Sequence, residues 1–216
     1  MGPPRSRRAG PWPVQLRHHT SLTSEGYVSQ KAWRQASLAR CPVHGGRGCG
    51  FRRHGSYPRV EPAGMRVSRW YCPKAQTTFS LLPDCLSSRL TGSLDETEHA
   101  VALSECVGVE AAAQALRVDE VELPGVLRWL RRRRRGVRAA LLALVTALPG
   151  RLGTLAEVRA IRCVLDTERA LVALREIGAD HLHSLPHPLG FRPLRSGRVQ
   201  CELRLQHETG PDLPSG

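Results

Sequence analysis

The chain has 216 residues, 5 % aromatic with sixteen prolines and twenty glycines, so small modules are expected rather than one large core. Its formal charge of +13 and pI near 10.6 point to a polyanion, most commonly nucleic acid. The longest apolar run, residues 139–148, is about half the length of a membrane span, so no membrane partner is expected.

The opening MGPPRSRRAG lacks the apolar stretch of a secretory leader. A reducing, cytoplasmic setting follows, and cysteines clustered with histidine then read as metal ligands before disulfides. Residues 1–27, rich in Pro, Arg, Ser and His without a sustained period, read as a disordered basic arm. From Val28 to Arg40, Val28, Ala32, Trp33, Ala36 and Leu38 allow a short helix capped by Ser29.

Between Cys41 and Phe79 the chain concentrates chemistry. Cys41, His44, Cys49 and Cys72 are four soft donors in an order that suits one tetrahedral zinc of structural type. Glycines 45, 46 and 48 let the backbone bend around an ion. Phe51 to Val60 and Met65 to Tyr71 read as two strands joined by the turn Glu61-Pro62-Ala63-Gly64. Arg52, Arg53, Arg59, Arg66 and Arg69 make the hairpin surface positive, and Trp70, Tyr71 and Phe79 supply its core. Leu81 to Leu86, broken by Pro83, reads as a packing link with Cys85 as a buried thiol.

After Ser93 the pattern turns helical. Ser93 or Asp95 caps a helix to about Cys106, Val109 to Leu116 forms a second, and Leu123 to Arg135 a third with Pro124 in its first turn. The third turns Val126, Leu127 and Leu130 inward and Arg128, Arg131, Arg132 and Arg135 outward, as in a helix-turn-helix unit. Val137 to Leu148 reads as a separate buried helix closed by Pro149-Gly150. Thr154-Leu155-Ala156-Glu157 reads as a capping box opening a helix to about Gly178, with Cys163 in the core. His181, His183 and His187 lie among prolines as a polar loop, and residues 206–216 as a frayed tail.

Arg53-His54-Gly55-Ser56-Tyr57, then Arg69-Trp70-Tyr71-Cys72-Pro73, then Thr78-Phe79-Ser80-Leu81-Leu82-Pro83-Asp84 resemble the zinc-ribbon region of insertion-sequence transposases and their small stand-alone relatives. The likeness covers roughly residues 39–90, and a helix-turn-helix likeness extends it to about 135. It implies Cys41, Cys72 and, by substitution, His44 as zinc ligands. Ala75 and Gln76 stand where a second knuckle carries its other ligand; either Cys49 takes that place or the site has decayed.

The expected fold is therefore α+β: a zinc-ribbon-like module over 28–92, a helix-turn-helix-like helical domain over 93–150 and a helical extension over 151–205. No catalytic residue is expected, because Asp95, Asp119, Asp166 and Asp180 lie at helix ends or turns and no strand pattern follows residue 92 to build a two-metal nuclease core. The expected function is a non-catalytic, zinc-stabilised, nucleoid-associated protein that binds double-stranded DNA, with a second copy or a separate transposase as protein partner. The alternatives are a protein-interaction module or a mobile-element remnant without DNA binding. Arg, Ala, Gly and Pro are also what a GC-rich genome favours, and Lys occurs only at 31 and 74, so the placement of the arginines decides between them.

Overall fold

Val14–His18 (β1), Arg52–Pro58 (β2), Arg66–Cys72 (β3) and Thr77–Pro83 (β4) form one mixed sheet in the order β1-β4-β3-β2. They belong to a computed structural model that describes residues 14–46, 48–118 and 122–191. β2, β3 and β4 are antiparallel neighbours, with Trp70 opposite Phe79, and β1 lies parallel to β4 with Val14 opposite Phe79. β4 is thus a central strand, and six of its seven residues, all but Thr78, are buried. Its near-continuous apolar run fits burial on both faces. Pro83 reads as a breaker in sequence but sits at the strand's last position, where a missing N–H interrupts little of the ladder.

The helices are Ser24–Ser29 (α1), Leu94–Val107 (α2), Val109–Ala115 (α3), Leu123–Ala147 (α4), Pro149–Leu152 (α5), Val158–Leu165 (α6) and Ala170–Ile177 (α7). Single 3-10 turns occupy Ala32–Arg34 and Ala179–His181. The architecture is the expected α+β class.

Several elements differ from expectation. Residues 14–27 of the expected arm carry β1 and most of α1, with Tyr27 fully buried; residues 1–13 lie outside the described residues. Thr23 caps α1, accepting the Gly26 N–H at 3.1 Å, and α1 ends at Ser29; where a helix was expected after Ser29 there is only the 3-10 turn at Ala32–Arg34. The helices expected at 123–135 and 137–148 are one 25-residue helix. A glycine costs an α-helix about 1 kcal/mol, but Gly136 is where the chain returning from α7 crosses α4. A Cβ there would lie 3.1 Å from the His187 carbonyl. The helix expected from 154 to 178 is two, broken where Asp166 turns left-handed at φ 47°, and Cys163 is exposed rather than in the core.

The expected capping box at 154–157 does not form, since α6 starts at Val158 with no cap from its own chain segment. α2 supplies the caps instead. Glu105 accepts the N–H groups of Val158 and Arg159, and Glu98, only 1 % exposed, accepts those of Ala170 and Leu171 together with Arg162 Nε at 2.8 Å. Asp95 takes a two-pronged bond from Arg169. Two carboxylates on α2, Glu98 and Glu105, thus satisfy the orphan donors and positive dipole ends of two other helices, and a third, Asp95, pairs with the Arg169 guanidinium. Ser93 and Glu96 form the box that starts α2 itself.

A second polar joint fixes the sheet to the helices. Arg175 is fully buried and donates to the carbonyls of Pro83, Asp84, Pro188 and Leu189, with its guanidinium 4.9 Å from the Phe191 ring centre. Burial pushes the group down to about 10, so it remains a cation at neutral pH. One apolar core cluster runs through both halves, from Tyr27, Met65 and Leu82 to Val137, Leu171 and Phe191. The boundaries expected at 92 and 150 do not divide it.

Truncating Glu98 to alanine would leave two helix N–H groups and Arg162 without their acceptor. Glu98→Ala is expected to lower stability by about 2–4 kcal/mol, read from urea denaturation, whereas Glu168→Ala at the exposed end of the Arg162 pair leaves the midpoint nearly unchanged.

Candidate metal centre

Three turns converge at one end of the sheet. Cys41 and His44 lie in the loop after the 3-10 turn at Ala32–Arg34, Cys49 lies just before β2, and Cys72 is the last residue of β3. One donor atom from each of these four residues lies within 4.8 Å of all the others, so the group could hold a metal ion. The His44 Nδ1 is 3.5 Å from the Cys41 sulfur and 3.4 Å from the Cys72 sulfur. All three cysteines are buried and none forms a disulfide.

Local backbone shape explains why these donors point inward. Gly50, at φ +70°, turns the chain directly after Cys49, and a Cβ there would lie 3.2 Å from the Pro73 ring. Glycine at 50 therefore lets the turn after Cys49 pack against the one after Cys72. At the second turn the Ala75 N–H donates to the Cys72 sulfur at 3.4 Å. Ala75 supplies no ligand side chain, but its amide supports the sulfur as a knuckle amide would, and Cys49 occupies the fourth place. Phe79, also buried, packs with the three cysteines, ringed by Val14, Leu16, Phe51 and Trp70. Phe51 stacks on Trp70 at 5.3 Å and meets Phe79 edge-on at 6.0 Å.

The electrostatics favour a cation here. Burial holds the Cys41 thiol above its ordinary value against the pull of the His44 and Val43 N–H groups. At Cys49 burial acts in the same sense, but the Phe51 N–H and the neighbouring thiols of Cys41 and Cys72 outweigh it and the group lies below its ordinary value. Ionising several thiols in one dry space is costly without a counter-ion, and a bound metal removes that cost. Four protein donors are also the number that a closed tetrahedral shell needs.

A second set of donors, His19, Asp84 and Glu176, also gathers. Arg17 already supplies its cation: it holds Asp84 through Nε at 2.9 Å and reaches Glu176 through the same guanidinium. Sequence reasoning did not single out this network, because Arg17 fell in the expected arm. Cys85 lies apart from the metal group, in the main core.

The arginines expected to meet nucleic acid divide into two groups. On the hairpin, Arg53 donates to the carbonyls of Trp33 and Arg34, Arg59 to those of Ser87 and Leu90, and Arg66 to Ser56. Arg52 donates to the Gly50 carbonyl and lies 6.0 Å from the Tyr71 ring centre, and Arg69 lies 5.6 Å from that of Tyr57. These side chains brace loops and strands. On α4, Arg128, Arg131, Arg132 and Arg135 are exposed, as Arg52 and Arg53 are, but recur three or four residues apart along one helix face. Arg131 has a partner, Glu110, at 2.9 Å, in a pair exposed on both sides.

No family model, curated protein or solved structure matches this chain. Function is therefore argued from the sites themselves. Replacing Cys49 by serine is expected to abolish tight metal binding and loosen the β2–β3 hairpin, while Cys85→Ser keeps one metal ion per chain; metal analysis after dialysis against a weak chelator reads the difference.

Proposed function

We propose that the chain is a non-catalytic DNA-binding protein in which structural zinc closes one end of the sheet and α2–α4 act as a helix-turn-helix-like unit. Three thiolates and an imidazole form the donor set that zinc takes in closed structural sites. The observation that carries the DNA reading is the arginine face of α4. Phosphate contacts of this kind supply much of the affinity for duplex DNA and act as positioning contacts.

The helical unit has the economy such a module needs. Ala100, Ala112, Ala113, Val126 and Leu130 form a small core of its own, and the alanines let α2, α3 and α4 approach closely. That packing turns the opposite side of α4 to solvent. The acidic side chains of α2 support the non-catalytic reading, since Asp95, Glu98 and Glu105 are engaged as caps and ion pairs. Among the described residues no helix is long and apolar enough to cross a membrane.

The hairpin arginines contribute to this function indirectly, by holding the sheet. Fluorescence anisotropy with a random duplex at rising salt tests the reading. Four phosphate contacts predict a slope of log K against log salt of about −3 to −4. Arg131→Gln and Arg135→Gln are each expected to reduce that slope by about 1, and Arg66→Gln to leave it unchanged. A flat salt response in the parent protein contradicts the proposal.

A further inference from the structure

Beside the exposed arginine face lies a pocket of about 280 Å³ between α4 and the loop that precedes α2. Its lining consists of Arg89, Leu90, Thr91, Gly125, Arg128, Trp129, Arg132 and Arg133. Among the described residues, four arginines and no acidic residue line this one small space.

The pocket is built rather than incidental. Arg133 is 4 % exposed, its guanidinium lies 3.9 Å from the centre of the Trp129 ring, and it donates to the Thr91 carbonyl at 2.8 Å. Its Nε is buried and has no hydrogen-bond partner among the described residues. The loop opposite is tied from two sides: Ser88 donates to the carbonyls of Pro188 and Gly190, and Arg59 reaches the Leu90 carbonyl. Between these ties Arg89 is held at φ 56°, a left-handed conformation that a non-glycine residue adopts only under constraint from its surroundings. Burial pushes both Arg89 and Arg133 below the ordinary arginine value. The carboxylates acting on Arg133, Glu61 and Glu96, lie outside the lining, and Glu96 is engaged in capping α2.

We propose that this pocket binds the phosphoryl group of a phosphomonoester. A dianion with three acceptor oxygens answers a pocket lined by four arginines better than a carboxylate or a backbone phosphodiester, each of which brings a single charge. The volume lies just below the range of pockets that enclose whole drug-sized ligands, so it suits the phosphate with its nearest atoms. The carrier is either a small sugar phosphate or the terminal phosphate of a nucleic-acid strand. The pocket shares Arg128 and Arg132 with the face proposed to meet DNA, so the two readings are told apart at Arg89 and Arg133, which belong to the pocket alone.

Isothermal titration of the full chain with ribose 5-phosphate, at fixed ionic strength and with ribose as the blank, tests it. Saturable binding to the phosphate and none to ribose is expected, with Arg133→Gln and Arg89→Gln each weakening it by about tenfold or more, the scale of one charge-assisted contact, and Arg151→Gln leaving it unchanged. Arg89→Gln keeps the test decisive if Arg133→Gln fails to fold. Absence of saturable heat, or binding by Arg89→Gln equal to the parent, overturns the proposal. Short duplexes with 5′-phosphate and 5′-hydroxyl ends then separate the carriers: a preference for the phosphorylated end assigns a nucleic-acid terminus, and equal binding of the two ends assigns a small phosphoester. A protein that binds ribose 5-phosphate but no duplex refutes the DNA reading alone, and one that binds duplex but not ribose 5-phosphate refutes this one alone.

Discussion

Three cysteine sulfurs and one imidazole nitrogen share a space in which every donor atom lies within 4.8 Å of the others. This is the constraint on which the sheet end depends. The apolar material around it is limited to Phe79 and a ring of partly buried side chains, too little to fix three separate turns by packing alone. Without a cation the same group would bury thiols that gain little from one another. With one, the loop after Ala32–Arg34, the turn before β2 and the end of β3 are fixed at a single point, and metal binding becomes part of the folding free energy.

The rest of the protein is joined by polar contacts of the opposite sense, in which side chains serve backbone groups of other elements. Arg175 answers four carbonyls at the end of β4 and in the chain that returns after α7. Glu98 and Glu105 answer the N-termini of α7 and α6. Each is a long side chain whose removal would strand several partners at once, so these joints specify one arrangement of sheet and helices more sharply than the aliphatic core does. The same use of arginine accounts for the hairpin, where Arg53 and Arg59 act as braces. Net positive charge is therefore a poor guide to binding surface in this chain, and the distinction between arginines bonded to carbonyls and arginines in solvent is the informative one.

A cluster of soft donors was legible in the sequence because knuckle chemistry is local: a cysteine, a histidine three residues on and glycines around them specify a turn without reference to the rest of the fold. That Cys49 gathers with the group and Cys85 lies outside it was expected from the same reasoning. Ser93 as one of two candidate caps, and the inward and outward faces of α4, were equally local. What escaped were features set by partners distant in sequence. β1 pairs with β4 across more than sixty residues, so nothing near Val14 announces a strand. The carboxylates that cap α6 and α7 come from α2, which is why Thr154 misled. Gly136 reads as a helix boundary until the His187 carbonyl is seen against it. Arg133 was one more charge in a basic run, and only its burial against Trp129 sets it apart.

The central claim is that Cys41, His44, Cys49 and Cys72 hold one ion in a closed tetrahedral shell. Titrating the reduced, metal-free full chain with cobalt(II) tests it most directly, since cobalt in such a site reports its geometry and its sulfur ligands in the visible and near-ultraviolet spectrum. The account predicts saturation at one equivalent, with intense tetrahedral bands and thiolate-to-cobalt charge transfer that disappear when zinc is added. A weak octahedral spectrum without a thiolate band would contradict it.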